Sequence, residues 1–147
     1  LKYINYEISN FSKNNFISIH NSKYWKSKKY IGFGPSAHSY DLKYRYWNIS
    51  NNQKYINEIN KKKLPEKKEK LSINNIINEH IMTRLRTIWG LNLKEIKEKF
   101  QIDLYSIKKN ELNLFKKEKH IETNNNTIIL NKKGKIISDY ITEKIML

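Results

Sequence analysis

Residues His20-Asn21-Ser22-Lys23-Tyr24-Trp25 place an imidazole, two large aromatic rings and two short polar side chains in one brief span. If the span is helical, i,i+4 spacing stacks His20 over Tyr24 and Asn21 over Trp25. An imidazole beside Tyr and Trp suits a flat aromatic ligand, with the nitrogen on a haem iron and the rings against the macrocycle. The same residues also suit a packed aromatic cluster around a hydrogen-bonded histidine, and spacing alone does not separate the two. Further on, Gly32-Phe33-Gly34-Pro35-Ser36-Ala37-His38-Ser39 forms a glycine-rich turn. Such a turn lets backbone approach a phosphate or nucleotide, although a lone Gly-x-Gly is more often only a turn. His38, just after it, either lines a cofactor pocket or caps a backbone group. His80, inside a helical pattern, and His120, at the start of a strand pattern, read as structural. No Ser/His/Asp arrangement, paired catalytic carboxylates or metal-ligand spacing is evident.

The elements that must position these residues fall into two regions, 1–60 and 71–147, joined by the charged run 61–70, which reads as an exposed linker around Pro65. In the first, Tyr3 to Ile8 alternates like a strand already inside a fold. Tyr30 to Phe33 reads as a buried strand entering the glycine turn, and Asn51 to Lys61 as a helix with Tyr55, Ile56 and Ile59 inward. In the second, Ser72 can N-cap a helix carrying Ile73, Ile76, Ile77, Ile81, Leu85 and Ile88, with Gly90 at its C-cap. Asn92 with Glu95 resembles a capping box for a short helix through Phe100. A third helix is expected from about Leu104 to Lys117, burying Ile107, Leu114 and Phe115. Ile121-Glu122 and Thr127 to Leu130 flank Asn124-Asn125-Asn126 as a hairpin. A last helix carries Ile136, Ile137, Tyr140, Ile141 and Ile145. The fold class expected is α/β followed by α, with a winged-helix-like C-terminal domain.

The 147 residues carry a formal net charge of +15. A basic balance ordinarily raises nucleic acid or an anionic membrane as partner. Here 26 of the 29 basic residues are Lys and 3 are Arg, and Asn and Ile are abundant at 20 and 23. AT-rich codons produce that composition without selection for a basic surface, and nucleic-acid interfaces draw on Arg. No specific nucleic acid is expected, although Lys108, Lys109, Lys116 and Lys117 keep a nucleic-acid-binding winged helix as an alternative. There is no cysteine, which excludes disulfides, zinc–thiolate sites and any iron–sulfur cluster held by this chain. No apolar run approaches a membrane span and no signal peptide opens the chain, so a cytoplasmic location is expected. Because it begins with Leu1 and a strand-like pattern, the chain reads as the C-terminal part of something longer.

Tyr6-Glu7-Ile8-Ser9-Asn10-Phe11, His20-Asn21-x-x-Tyr24-Trp25, Tyr30 to Ser39, Trp47-Asn48 and Leu85-Arg86-Thr87-x-Trp89-Gly90-Leu91 occur in the order and spacing of a known family. In these residues the chain resembles the HemW-type radical SAM haem chaperones, relatives of oxygen-independent coproporphyrinogen III oxidase of porphyrin biosynthesis. The resemblance implies the C-terminal part of such a protein. Residues 1–60 would be the end of a partial (β/α) radical SAM barrel, and 71–147 the helical C-terminal domain. It implies haem as ligand, bound by His20, Asn21, Tyr24 and Trp25 with His20 on the iron, and an unidentified haem-acceptor protein as partner. It implies that Gly32, Gly34, Ala37 and His38 lie along an S-adenosylmethionine pocket. S-adenosylmethionine and a [4Fe-4S] cluster would belong to the full-length parent. Without the cluster cysteines this chain alone is expected to perform no radical chemistry. The alternative is part of a coproporphyrinogen oxidase.

Overall fold

A computed structural model describes residues 2–14 and 16–147. The chain divides into two compact units, one of Leu1–Lys26 with Ile77–Leu147 and one of Ser27–Ile76.

The larger unit opens with an antiparallel hairpin, β1 (Tyr3–Glu7) and β2 (Asn10–Lys13), followed by α1 (Ile19–Trp25). Its remainder begins within α3 (Ile73–Leu85), the helix that leaves the smaller unit. The Ser72 hydroxyl accepts the Asn75 N–H at 3.1 Å, as its capping role requires. The expected run through Ile88 to a Gly90 C-cap is not observed, because α3 stops at Leu85. Backbone from 80 residues away captures the next turn: Ile8 N–H donates to Arg86 O at 3.0 Å and Ile88 N–H to Tyr6 O at 3.1 Å. Gly90 instead serves a close approach. Its φ is +67°, and a Cβ there would stand 2.5 Å from Ile128 O.

Next come β6 (Leu91–Asn92), α4 (Leu93–Phe100), α5 (Leu104–Ile107), α6 (Lys109–Lys117), β7 (Ile121–Asn124), β8 (Thr127–Leu130), α7 (Lys132–Ile136) and α8 (Ser138–Ile145). The Asn92 side chain caps α4 by accepting the Glu95 N–H at 3.0 Å. β7 and β8 pair antiparallel around Asn125 and Asn126, both with positive φ, which is the two-residue primed turn that asparagine tolerates. β6 adds to β8, so the sheet order is β6-β8-β7. The expected third helix is two, α5 and α6, broken at Lys108. Leu104, Leu112 and Phe115 are buried there, while Ile107 and Leu114 are exposed. The expected last helix is likewise α7 and α8, with Ile141 and Ile145 buried and Ile136 and Tyr140 exposed. Ile77, Ile81, Leu85, Leu91, Ile96 and Ile128 join these residues in one core.

The smaller unit holds an antiparallel sheet of order β3-β4-β5, from β3 (His38–Tyr40), β4 (Tyr44–Asn48) and β5 (Glu66–Lys70), together with α2 (Asn52–Asn60). The charged run is therefore more than an exposed connection. Its half Glu66–Lys70 pairs residue by residue with Asn48–Tyr44, and all five of its side chains remain exposed. Such charge is tolerated because only β4 demands its backbone, as on sheet edges generally. Tyr30 to Phe33 is not a buried strand. Tyr30 makes one bridge to Tyr40, while Ile31 and Phe33 are 76% and 87% exposed. In α2 the expected inward residues Ile56 and Ile59 are exposed within the structure, and Tyr55 is half-buried.

Candidate functional site

Helix α1 is the expected chemistry-bearing element, and it forms where the spacing places it. Ser18 starts it: the hydroxyl accepts the Asn21 N–H at 3.2 Å, and Ser18 O accepts the Ser22 hydroxyl at 2.7 Å. One turn apart, the His20 and Tyr24 rings meet edge to face with centroids 5.0 Å apart. His20 is exposed. Among the described residues neither of its ring nitrogens has a hydrogen-bond partner, so its lone pair is available to an incoming group. Phe11, Phe16 and Ile19, from β2 and the approach to α1, are 64%, 77% and 77% exposed.

The other stripe of α1 is anchored. Glu7, at the end of β1, is 1% exposed, and its carboxylate meets Arg86 Nε at 3.0 Å. The same carboxylate accepts the Ser9 N–H at 3.0 Å and the Asn10 side-chain amide. Asn10 Oδ1 in turn accepts from Asn21 Nδ2 at 3.5 Å. The Arg86 guanidinium carbon lies 5.7 Å from the centre of the Trp25 ring, and Lys26 Nζ lies 4.9 Å from the Trp89 ring. Beneath the hairpin, Lys135 Nζ donates to Asn5 Oδ1 at 2.6 Å. Burial lowers this ammonium's pKa, and the Glu7 carboxylate opposes that shift. Glu7 and Arg86 stand in the motifs that carry the family resemblance, but no site role is expected of them from sequence. One signal was available: in a chain so rich in Lys, two of the three arginines, Arg84 and Arg86, lie within three residues.

The glycine turn belongs to the smaller unit and shapes two cavities. Gly32 N–H donates to the Ser39 hydroxyl at 3.0 Å, and a Cβ on Gly32 would stand 2.2 Å from His38 O, so only glycine fits. Gly34, at φ +97°, donates its N–H to the Tyr55 hydroxyl at 3.3 Å and accepts from the buried Asn48 amide at 2.8 Å. Register then divides the residues. His38 pairs with Trp47 and Ser39 with Tyr46, and successive strand residues point to opposite faces. One cavity, of about 540 Å³, is mostly apolar, and its lining includes Tyr30, Gly32, Phe33, Tyr40, Tyr46 and Tyr55 with Asp41 and Glu66. The Asp41 carboxyl is held below its ordinary range by the Tyr44 and Lys43 N–H groups and the Tyr46 hydroxyl, the last at 2.8 Å. The other cavity, of about 480 Å³, is of mixed polarity, and its lining includes Ser36, His38, Trp47, Asn51, Lys54 and Lys67. Gly32 and His38 thus line different cavities, with Gly34 and Ala37 in the turn between them.

His80 and His120 fall where structural histidines belong. His80 is 2% exposed, with its ring against Phe100. His120 precedes β7, and its carbonyl accepts the Asn131 N–H at 3.2 Å. Among the described residues no group of three or more His, Cys, Asp and Glu could hold a metal ion, and no helix is long and apolar enough to cross a membrane.

No protein-family model matches the chain. It is 29% identical over 137 residues to the protein named heme chaperone HemW of Bacillus subtilis (strain 168), covering 92% of this chain and 36% of that one. With the protein of the same name from Lactococcus lactis subsp. lactis (strain IL1403) the identity is 27% over 146 residues, covering 99% and 38%. A 33-residue stretch is 58% identical to radical S-adenosyl methionine domain-containing protein 1, mitochondrial, of Danio rerio, covering 22% and 7%. In three dimensions the chain matches the solved structure of coproporphyrinogen III oxidase (HemN) from Escherichia coli, described as a radical SAM enzyme. The TM-score is 0.72, with 98% of this chain and 37% of that one covered. At 13% identity that likeness is one of fold. The chain therefore spans well under half the length of the proteins it matches; over most of its own length it is similar to the HemW haem chaperones, and its mixed α/β fold is like the corresponding part of HemN.

Proposed function

We propose that this chain is the haem-handling part of a radical SAM haem chaperone, binding haem through α1 and passing it to an acceptor protein. One observation carries the reading. The His-Asn-x-x-Tyr-Trp element folds as a capped helix that presents His20 outward, with both ring nitrogens available and exposed Phe16 and Ile19 beside it. Haem is the cargo. His20 donates a nitrogen lone pair to the iron, Tyr24 packs edge-on against the imidazole, and the neighbouring apolar side chains cover one face of the macrocycle. Among the described residues the seat is exposed and single-sided, which suits a carrier. The names of the HemW relatives support haem as the ligand.

Under the same reading, residues within 1–60 supply the end of a radical SAM barrel and 71–147 a winged-helix-like closing domain. Gly32, Gly34, Ala37 and His38 border the S-adenosylmethionine pocket of the whole protein. Cluster thiolates would come from outside these residues, since the chain has no cysteine.

The test is a haem titration followed by the Soret band. The parent chain is expected to bind, and His20→Ala to weaken affinity about tenfold or more. Its melting temperature should stay unchanged, because the side chain is exposed. Equal binding by parent and variant would refute His20 as the ligand, and no binding by either would refute the haem reading.

A further inference from the structure

We infer that the buried Glu7–Arg86 pair is the positioning device of α1, setting which stripe of the helix faces a ligand. This rests on the haem reading above for its consequence, but its geometry stands by itself.

A helix of seven residues is too short to hold its own orientation or even its own shape in water. Something must dock it, and the structure shows what. Asn21 and Trp25 lie one turn apart on one stripe. Asn21 reaches the Glu7 carboxylate through Asn10, and Trp25 lies under the Arg86 guanidinium. The two ends of one ion pair therefore hold the two ends of one helical stripe. The neighbouring stripe, His20 and Tyr24, is left facing out by the same act.

Glu7 and Arg86 are suited to this. The carboxylate is almost wholly buried and has both oxygens engaged, one by Arg86 and the other by Ser9 and Asn10. A buried charge so fully satisfied has one low-energy arrangement, which makes it a rigid reference point. The backbone ladder of Tyr6 and Ile8 with Arg86 and Ile88 fixes both partners from behind. Arg cannot be exchanged for Lys here, since one guanidinium must offer Nε to the carboxylate and keep its carbon over the indole together.

The experiment uses the full chain with two single variants. Arg86→Lys keeps the charge and loses the fork and the flat face. Asn10→Ala leaves the Glu7–Arg86 contact and the Ser9 N–H on Glu7 in place and removes the Asn10 bridge, its hydrogen bonds to Glu7 and to Asn21, so it answers even if Arg86→Lys fails to fold. The first readout needs no haem: hydrogen exchange at the amides of Ser22 to Trp25. In Asn10→Ala these should exchange about tenfold faster than in the parent, the effect of losing one hydrogen bond linked to a charged group, with the amides of α3 unchanged. The second is the circular dichroism induced in the Soret band of bound haem, which reports the orientation of the macrocycle against its site. It should change in sign or size in both variants while the melting temperature of Asn10→Ala holds. Unaltered α1 exchange in Asn10→Ala would overturn the inference, as would an unaltered Soret dichroism in both variants. If the parent binds no haem, the haem reading fails and the exchange result alone decides whether the pair positions α1.

Discussion

His80 makes the stability of the larger unit depend on pH in a way that can be worked from its surroundings. The imidazole is 2% exposed, its ring lies 6.0 Å from Phe100, and neither nitrogen has a hydrogen bond. The Glu95 carboxylate stands 3.8 Å from Nε2, beyond hydrogen-bond reach. Burial lowers the pKa to about 4 from an ordinary 6.5, with Glu95 opposing the shift and Arg84 and Lys99 adding to it. The folded chain therefore keeps His80 neutral down to about pH 4, whereas the unfolded chain takes up the proton near 6.5. The stability linked to this group is complete above pH 6.5 and is lost as pH falls toward 4. The gap corresponds to about 3 kcal/mol at pH 4, roughly 6–12 °C in melting temperature for a chain of this size. The assay is urea unfolding at pH 7 and pH 4 for the parent and His80→Met, an apolar side chain of similar reach that cannot titrate. Asp41 and Asp103, whose carboxyls are held low by hydrogen bonds, lose their own contributions in both proteins and cancel in the comparison. The parent should lose about 3 kcal/mol more than His80→Met between the two pH values. Equal losses would refute the reasoning.

Other substitutions probe other parts of the argument. Gly32→Ala forces a methyl to within 2.2 Å of His38 O, and should destabilise the smaller unit by about 1–3 kcal/mol, read by thermal melting. Ile81→Ala, at 0% exposure in the shared core, should cost about 2–5 kcal/mol in urea unfolding. Asn126→Gly, at a turn position with φ +63°, should preserve the hairpin and change stability by less than about 1 kcal/mol; a large loss would mean that the asparagine side chain, not its backbone, holds the turn.

What could be read from the sequence was what neighbours in sequence decide. Ser72 and Asn92 cap the helices they precede, Asn125-Asn126 turns the hairpin, and His20 meets Tyr24 one helical turn on. What could not be read was set from afar. Apolar spacing carries α3 on to Ile88, but pairing with Tyr6 and Ile8 outcompetes another helical turn. The strand Glu66-Lys67-Lys68-Glu69-Lys70 has no strand-like pattern at all and exists because β4 offers it an edge. Lys108 interrupts a helix whose apolar period gave no warning, and this shifts burial from Ile107 to Leu104 and Leu112. The candidate site shows the same split. The outward stripe of α1 follows from local spacing, whereas its anchor joins Glu7 to a residue 79 positions away.

That separation has a consequence for the order of events during synthesis. β1, β2 and α1 leave the ribosome before Ser27–Ile76 is made, and Arg86 follows Trp25 by about sixty residues. At elongation speeds of the order of 5–20 residues per second, the aromatic stretch waits about 3–12 s with Arg86 still unmade. During that interval Tyr24 and Trp25 are open to chaperones or to premature ligand. A nascent chain stalled just short of Arg86 would carry the ligand-facing residues without the anchor that aims them.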